Sequence, residues 1–153
     1  MKVQVFHQIT VKHSLGTKKR LIKVTRGGEY NLGRLYAAGH GVAQDYDKAA
    51  HWYRKAANQG LNFALNNLGT LYANGLGVKK DYIQANALYR AAAIQGNVVS
   101  EYNLGEFYER GDGVPKDLYQ ARSWMTKSAA AGLEQAKQWL DAHAKTNGQS
   151  GLY

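Results

Sequence analysis

The sequence predicts an all-α fold: an α-solenoid of three helix-turn-helix repeats with a C-terminal capping helix, preceded by a short leader of strand-like pattern. The first observation is a repetition every 36 residues, in which Asn67-Leu68-Gly69 recurs as Asn31-Leu32-Gly33 and as Asn103-Leu104-Gly105. The second is that each copy has apolar residues three or four positions apart on both sides of a glycine loop. Self-similarity at a fixed period of this length is typical of a stacked repeat array.

The repetition also sets the predicted organisation of the chain, whose 153 residues favour a single domain. We predict a basic leader at residues 1–24, repeats at 25–60, 61–96 and 97–132, a capping helix at 133–145 and a frayed tail at 146–153.

The leader does not follow the repeat. Within residues 3–11, Val3, Val5, Ile9 and Val11 fall on one side of a period of two, which favours a strand, and residues 21–24 have the composition of a returning strand. Because an isolated two-stranded hairpin is only marginally stable in water, we expect the leader to lie against the first repeat or to pair with another chain.

The middle repeat illustrates how each helix pair is predicted. Its first helix has apolar residues at helical spacing, namely Phe63, Leu65, Leu68, Leu71 and Tyr72. Gly75 stands where a helix ends in a residue of positive φ, and Gly77 allows a second unusual backbone angle in the loop. Asp81 is placed to cap the second helix, whose buried face is expected from Tyr82, Ala85, Leu88, Tyr89 and Ala92.

Each predicted first helix also contains a glycine near its middle, at Gly33, Gly69 and Gly105. A mid-helix glycine costs roughly 1 kcal/mol relative to alanine, so a compensating close approach of two helices is expected there. The expected small partners on the second helices are Ala49, Ala85 and Ala121.

After Gly132 the repeat register continues for half a unit only. Asp141 stands where a first helix would have its glycine, and the following loop and second helix are lost. The remaining segment predicts an amphipathic capping helix with an apolar face from Leu133, Ala136, Leu140 and Ala144. Repeat arrays need such caps, with a polar outer face, to stay in solution.

The repeated core L-G-x-x-Y-x-x-G-x-G-V-x-x-D-x-x-x-A resembles the Sel1-like repeat, a relative of the tetratricopeptide repeat, over about residues 25–132. The departures from that pattern are Gly28, Leu88, Ser100 and Ser128. The resemblance implies a scaffold or adaptor, often bacterial, that binds a partner protein in signalling or host interaction. It implies no catalysis, and it assigns no binding residues because its fixed positions are structural.

Residue patterns that would support chemistry are missing from the sequence. The chain has no cysteine, which excludes disulfides and thiolate metal sites, and its five histidines do not share metal-ligand spacing on one predicted helix face. The glycine loops lack the preceding strand and the following Lys-Ser/Thr of a phosphate-binding loop. We therefore predict no enzyme activity, no cofactor and no metal.

Candidate partner-binding residues are those that vary between repeats, because the fold does not dictate them. In solenoids the concave surface is the usual binding face, and it is expected on the first helices. The variable positions there give the candidates Tyr30, Arg34, Asn66, Thr70, Tyr102 and Glu106. The predicted partner is a protein or peptide.

The net charge of +9 is concentrated in the leader: residues 1–26 carry seven basic side chains and no acid. The alternative functions are therefore binding of nucleic acid or an anionic surface through the leader, and self-assembly into a homo-oligomer. Nucleic acid is the less favoured partner, because a solvated terminus explains the charge more simply. Without a membrane span or a secretory signal pattern, the sequence predicts a cytoplasmic protein, although a mature exported or periplasmic form would look the same.

The leader generates a testable prediction. If Val3, Val5, Ile9, Leu21 or Ile22 covers the open end of the first repeat, deletion of residues 1–24 lowers the melting temperature or changes the mass in solution. Thermal unfolding and light scattering measure both. An unchanged melting temperature and mass would leave only the basic-arm role for this segment.

Overall fold

The computed structural model of the protein describes residues 8–10, 21–23 and 25–144. Two short strands, β1 (Gln8–Thr10) and β2 (Leu21–Lys23), pair antiparallel with Ile9 opposite Ile22. Residues 25–144 form seven helices: α1 (Arg26–Ala38), α2 (Tyr46–Asn58), α3 (Asn62–Asn74), α4 (Tyr82–Ile94), α5 (Val98–Arg110), α6 (Leu118–Ala130) and α7 (Glu134–Ala144). The predicted helical solenoid is confirmed. The predicted packing of leader side chains and the frayed tail lie outside the described residues.

Within residues 25–144, α1 packs against α2, α3 against α4 and α5 against α6, and the odd-numbered helix of each pair is the first helix of a repeat. The predicted terminators are present: Gly75 ends α3 with φ 67° and its N–H donates to the carbonyl of Leu71. The Asp81 side chain accepts a hydrogen bond from the N–H of Gln84 at 3.0 Å and so begins α4. Glycine and aspartate serve these roles because they respectively tolerate positive φ and satisfy free N–H groups.

The mid-helix glycines lie where two helices approach closely, but the nearest side chain is a larger residue and not the expected alanine. A β-carbon at Gly69 would lie 2.9 Å from Cε1 of Tyr89, and one at Gly105 would lie 2.7 Å from Cε of Met125. A long side chain of the second helix therefore lies across the glycine. The alanine expected there, Ala85, is fully buried, and its carbonyl oxygen lies 3.4 Å from the β-carbon position at Gly69, farther than the Tyr89 ring.

Consecutive repeats meet through the second loop glycine. A β-carbon at Gly77 would overlap the carbonyl group of Tyr46 at the start of α2, and one at Gly113 would lie 2.5 Å from the carbonyl carbon of Tyr82 at the start of α4. Both glycines have positive φ, 64° and 66°. The sequence indicated the unusual backbone angle but not this contact between repeats.

Polar contacts also hold the repeats together. Arg54 of α2 donates to the hydroxyl of Tyr72 on α3 at 3.1 Å, and Arg90 of α4 donates to the hydroxyl of Tyr108 on α5. Both tyrosines are half-buried with the hydroxyl at an interface between repeats. An arginine bond to a tyrosine hydroxyl is directional and so helps to fix how one repeat sits on the next.

Two departures from the repeat pattern are explained by hydrogen bonds. Ser100 and Ser128 are fully buried where the other repeats have mainly alanine. The Ser100 hydroxyl donates to Oδ1 of Asn66 at 2.8 Å, and the Ser128 hydroxyl donates to the carbonyl of Val98 at 2.9 Å. Because each hydroxyl has a partner, its burial avoids the cost of an unsatisfied polar group.

The interface between repeats predicts different costs for two glycine substitutions. Gly77→Ala adds a clash with the Tyr46 backbone to the strain of positive φ, so we expect a loss of about 3 kcal/mol or more in the free energy of unfolding. Gly60→Ala, at φ 78° with nothing within 4 Å of its β-carbon, has only the strain, about 1 kcal/mol. Urea unfolding measures both, and equal losses would contradict the contact between repeats.

Candidate partner-binding surface

Side chains of successive first helices contact one another, so α1, α3, α5 and α7 share one continuous surface, which we call the first-helix surface. The rings of Tyr30 and Phe63 lie 6.2 Å apart between α1 and α3. Asn66 of α3 accepts hydrogen bonds from α5, and Glu109 of α5 accepts one from Trp139 of α7. The six candidate residues all lie on the first three of these helices, two on each, four residues apart.

The N-terminal part of this surface is aromatic and basic. Tyr30 packs between the rings of Tyr53, at 5.8 Å, and Phe63. The guanidinium carbon of Arg34 lies 5.9 Å from the centre of the Tyr30 ring, within cation–π range. Phe63 was expected on the buried face of α3, yet it is 57% exposed. Its position is Gly27 in the preceding repeat and Val99 in the next, so the repeat does not require a buried aromatic there.

The middle part is occupied by contacts of the fold. Oδ1 of Asn66 accepts hydrogen bonds from the Ser100 hydroxyl at 2.8 Å and from Nδ2 of Asn103 at 3.3 Å. The Thr70 hydroxyl donates to the carbonyl of Asn66 and lies 3.1 Å from the hydroxyl of Tyr89. A partner would have to compete with these bonds, so the polar groups of both candidates are less available than those of Arg34.

The C-terminal part carries Tyr102 and Glu106. The Tyr102 hydroxyl donates to Oε1 of Glu106 at 3.1 Å, and Oε2 of Glu106 lies 3.5 Å from Nη1 of Arg110. Burial raises the pKa of Tyr102, and the negative charge of Glu106 raises it further. The carboxylate is thus held between a donor and a cation, which fixes its position on the surface.

Glu109 has a role that the sequence analysis missed. Its carboxylate accepts a hydrogen bond from Nε1 of Trp139 at 2.7 Å, and its other oxygen lies 3.0 Å from Nε2 of His143. The Trp139 and His143 rings stack at 3.8 Å, and Arg122 donates to the carbonyl of His143 at 3.1 Å. These contacts attach the capping helix α7 to α5 and α6. The four-residue spacing of Trp139 and His143 indicated that these two side chains share one helix face. It did not indicate Glu109, which is 30 or more residues away in the sequence.

The described residues do not assemble a site for metal chemistry. Residues 25–144 bring together no group of three or more His, Cys, Asp or Glu side chains that could hold a metal ion. Within the same residues, no helix is both long enough and apolar enough to cross a membrane.

Comparison with known proteins identifies the repeat. The family model described as Sel1 repeat matches residues 27–61, 62–97 and 98–133. Comparison with curated protein sequences finds no match.

Solved structures of bacterial repeat proteins are similar to this chain. One is c5321, a protective antigen present in uropathogenic Escherichia coli strains displaying an SLR fold, with 42% identity and a TM-score of 0.74 over 75% of this chain and 25% of that one. The chain thus spans a quarter of the length of that antigen. A Sel1 repeat protein from Oxalobacter formigenes has 42% identity and a TM-score of 0.70 over 76% of this chain and 88% of its own.

A more distant structure shares the fold alone. Helicobacter pylori cysteine rich protein B has 23% identity and a TM-score of 0.60, over 75% of this chain and 96% of its own. The same helical arrangement therefore occurs there, whereas this chain contains no cysteine.

The Tyr102–Glu106 contact predicts a measurable pKa change. Glu106→Gln removes a negative charge beside the hydroxyl, which favours the tyrosinate, so the pKa of Tyr102 falls towards its ordinary value without reaching it because burial persists. NMR titration of ¹³Cζ-labelled tyrosine measures the change. Glu134→Gln, on the exposed start of α7, is the matched control and leaves the pKa of Tyr102 unchanged. A similar shift in both variants would contradict the contact.

Proposed function

This chain belongs to the Sel1 repeat family, and from that premise we propose that it is a protein-interaction scaffold binding a peptide or folded partner through its first-helix surface. Sel1 repeat proteins generally act as protein-interaction scaffolds. The proposal includes no catalytic step, and the candidate contacts remain Tyr30, Arg34, Asn66, Thr70, Tyr102 and Glu106, to which we add Phe63.

The observation that carries the proposal is the cluster of Tyr30, Arg34 and Phe63. Tyrosine, phenylalanine and arginine are the residue types enriched at the centres of protein interfaces. Phe63 exposes more than half of its surface, although its ring packs against that of Tyr30, which in turn packs against the buried ring of Tyr53. An exposed aromatic side chain on a rigid support can be buried by a partner at little cost in side-chain entropy.

Asn66 and Thr70 are proposed to act mainly by supporting this surface. Their polar atoms are bonded across the interface with α5 and to Tyr89 of α4, so replacing them would disturb the stacking of repeats as well as any partner. Tyr102 and Glu106 present an ordered acceptor at the other end. A partner lying along the surface would therefore contact the cation Arg34 at the α1 end and the carboxylate of Glu106, whose charge Arg110 partly neutralises, at the α5 end.

The test compares two exposed apolar residues on different helices. Wild-type protein, Phe63→Ser and Ile83→Ser are immobilised and used to capture proteins from a lysate of the source organism, after which the captured protein is purified and its Kd is measured. Ile83 is 71% exposed on the second helix α4 and serves as the matched control. We expect Ile83→Ser to bind like wild type and Phe63→Ser to bind at least about tenfold more weakly, as for an interface hot spot.

Two outcomes would contradict the proposal. If all three proteins bind the partner equally well, Phe63 does not contact the partner. A steep fall of binding with salt, unaffected by Phe63→Ser, would instead indicate electrostatic binding through the basic leader, as expected for nucleic acid.

A further inference from the structure

The N-terminal end of the array differs from the equivalent positions inside it. Leu35 of α1 is 39% exposed, whereas the residues 36 and 72 positions later, Leu71 and Phe107, are 4% and 3% exposed. Leu35 lines an open groove of about 270 Å³ together with Asn31, Arg34, Ala38 and His40. The side of the groove formed by Leu35 therefore lies on the face of α1 that corresponds to an interface between repeats in α3 and α5.

The two internal interfaces show what covers this face. Leu71 belongs to the same buried core as Ala50 and Ala57 of the preceding second helix, α2. Phe107 packs edge-on against the rings of Tyr82 and Tyr89 of α4, at 5.7 and 5.3 Å. In both cases the cover is the second helix of the preceding repeat, with small and aromatic side chains facing the apolar residue.

The tyrosine one position later supports the same comparison. The hydroxyls of Tyr72 and Tyr108 each accept a hydrogen bond from an arginine of the preceding second helix, Arg54 and Arg90. Within the described part of the chain, the equivalent hydroxyl of Tyr36 accepts no such bond; a lysine of its own repeat, Lys48, lies 5.3 Å from its ring centre.

The loop after α1 has the conformation of an internal loop. Gly41 has φ 73°, close to the 64° of Gly77 and the 66° of Gly113. At the two internal interfaces that conformation brings the glycine against the backbone at the start of the preceding second helix. Leu35, Tyr36 and Gly41 thus reproduce the three features that receive a second helix elsewhere in this chain.

We propose that this end of the array, formed by Leu35, Tyr36 and Gly41, is a docking site for the second helix of a Sel1-type repeat from a partner protein. The docking helix has a small residue at the position of Ala57, and an arginine at the position of Arg54 to reach Tyr36. Among the described residues, the groove lining includes Arg34 and His40 and no acidic residue, so an acidic residue on the flank of the docking repeat is favoured.

A second copy of this chain does not fit the site. The corresponding faces of α2, α4 and α6 are already packed against α3, α5 and α7, and α7 is held by Glu109 and Arg122. This site shares Arg34 with the cluster of the proposed function, but Leu35, Tyr36 and Gly41 do not belong to that cluster, so either proposal can fail without the other.

In the test, a docking repeat is joined covalently to the whole chain, because a covalent link supplies the repeat at a high effective concentration. A copy of residues 61–96 is inserted between Val24 and Thr25, which keeps the 36-residue register. The matched control carries the same copy inserted after Gly96, where it joins two established interfaces. We expect both extended proteins to unfold in one transition at a higher urea midpoint than wild type, with equal gains in helical circular dichroism.

Substitutions in the first repeat locate the docking. Leu35→Gln should lower the urea midpoint at least twice as much in the N-terminally extended protein as in the original chain, because only there is Leu35 covered. Tyr36→Phe should lower it only in the extended protein, and replacing the arginine of the inserted copy that corresponds to Arg90 should have the same effect.

The proposal is overturned if the control insertion stabilises the chain and the N-terminal insertion does not. It is also overturned if Leu35→Gln and Tyr36→Phe have the same effects with and without the insertion. The added repeat would then pack elsewhere, or another segment would occupy the site. Capture results with Phe63→Ser do not enter this test.

Discussion

The close approach of backbone to backbone at Gly77 and Gly113 sets how one repeat sits on the next. A side chain at either position would overlap the first peptide groups of the preceding second helix. When the Gly77 and Gly113 loops pack against these peptide groups, Leu71 and Phe107 are buried. Arg54 and Arg90 then reach the tyrosine hydroxyls of the following repeat. Core packing and directional polar bonds thus depend on the absence of two β-carbons, since close-packed interiors adjust poorly to added volume.

A fixed interface leaves other positions free to differ. The face of each first helix that meets its own second helix keeps a glycine beneath a large side chain, as Gly69 does beneath Tyr89. The first-helix surface has no such requirement, and it changes from Tyr30 and Arg34 to Tyr102 and Glu106 along the array. A rigid support with variable side chains is the arrangement that a scaffold needs, because binding then orders few additional groups.

The two ends of the array differ in how their terminal helices are covered. At the C-terminal end, α7 replaces a first helix, buries Ala136 completely and is bonded through Trp139 and His143 to Glu109. At the N-terminal end, α1 keeps the apolar residue and loop glycine of an internal repeat, and Leu35 is exposed. Arrays are stable when terminal faces are covered, and the exposed Leu35 lies on the face where we propose that a further repeat docks.

The sequence by itself determined the helix pairs, because caps such as Asp81, terminators such as Gly75 and the 36-residue period act on neighbours along the chain. It also indicated which first-helix positions vary. Only the tertiary structure decided that Tyr89 lies over Gly69, that Gly77 meets the Tyr46 backbone, that Phe63 is exposed and that Glu109 holds His143. Most of these contacts join residues about 20 to 35 positions apart, and the exposure of Phe63 likewise depends on how the helices rotate and stack, which local spacing does not specify.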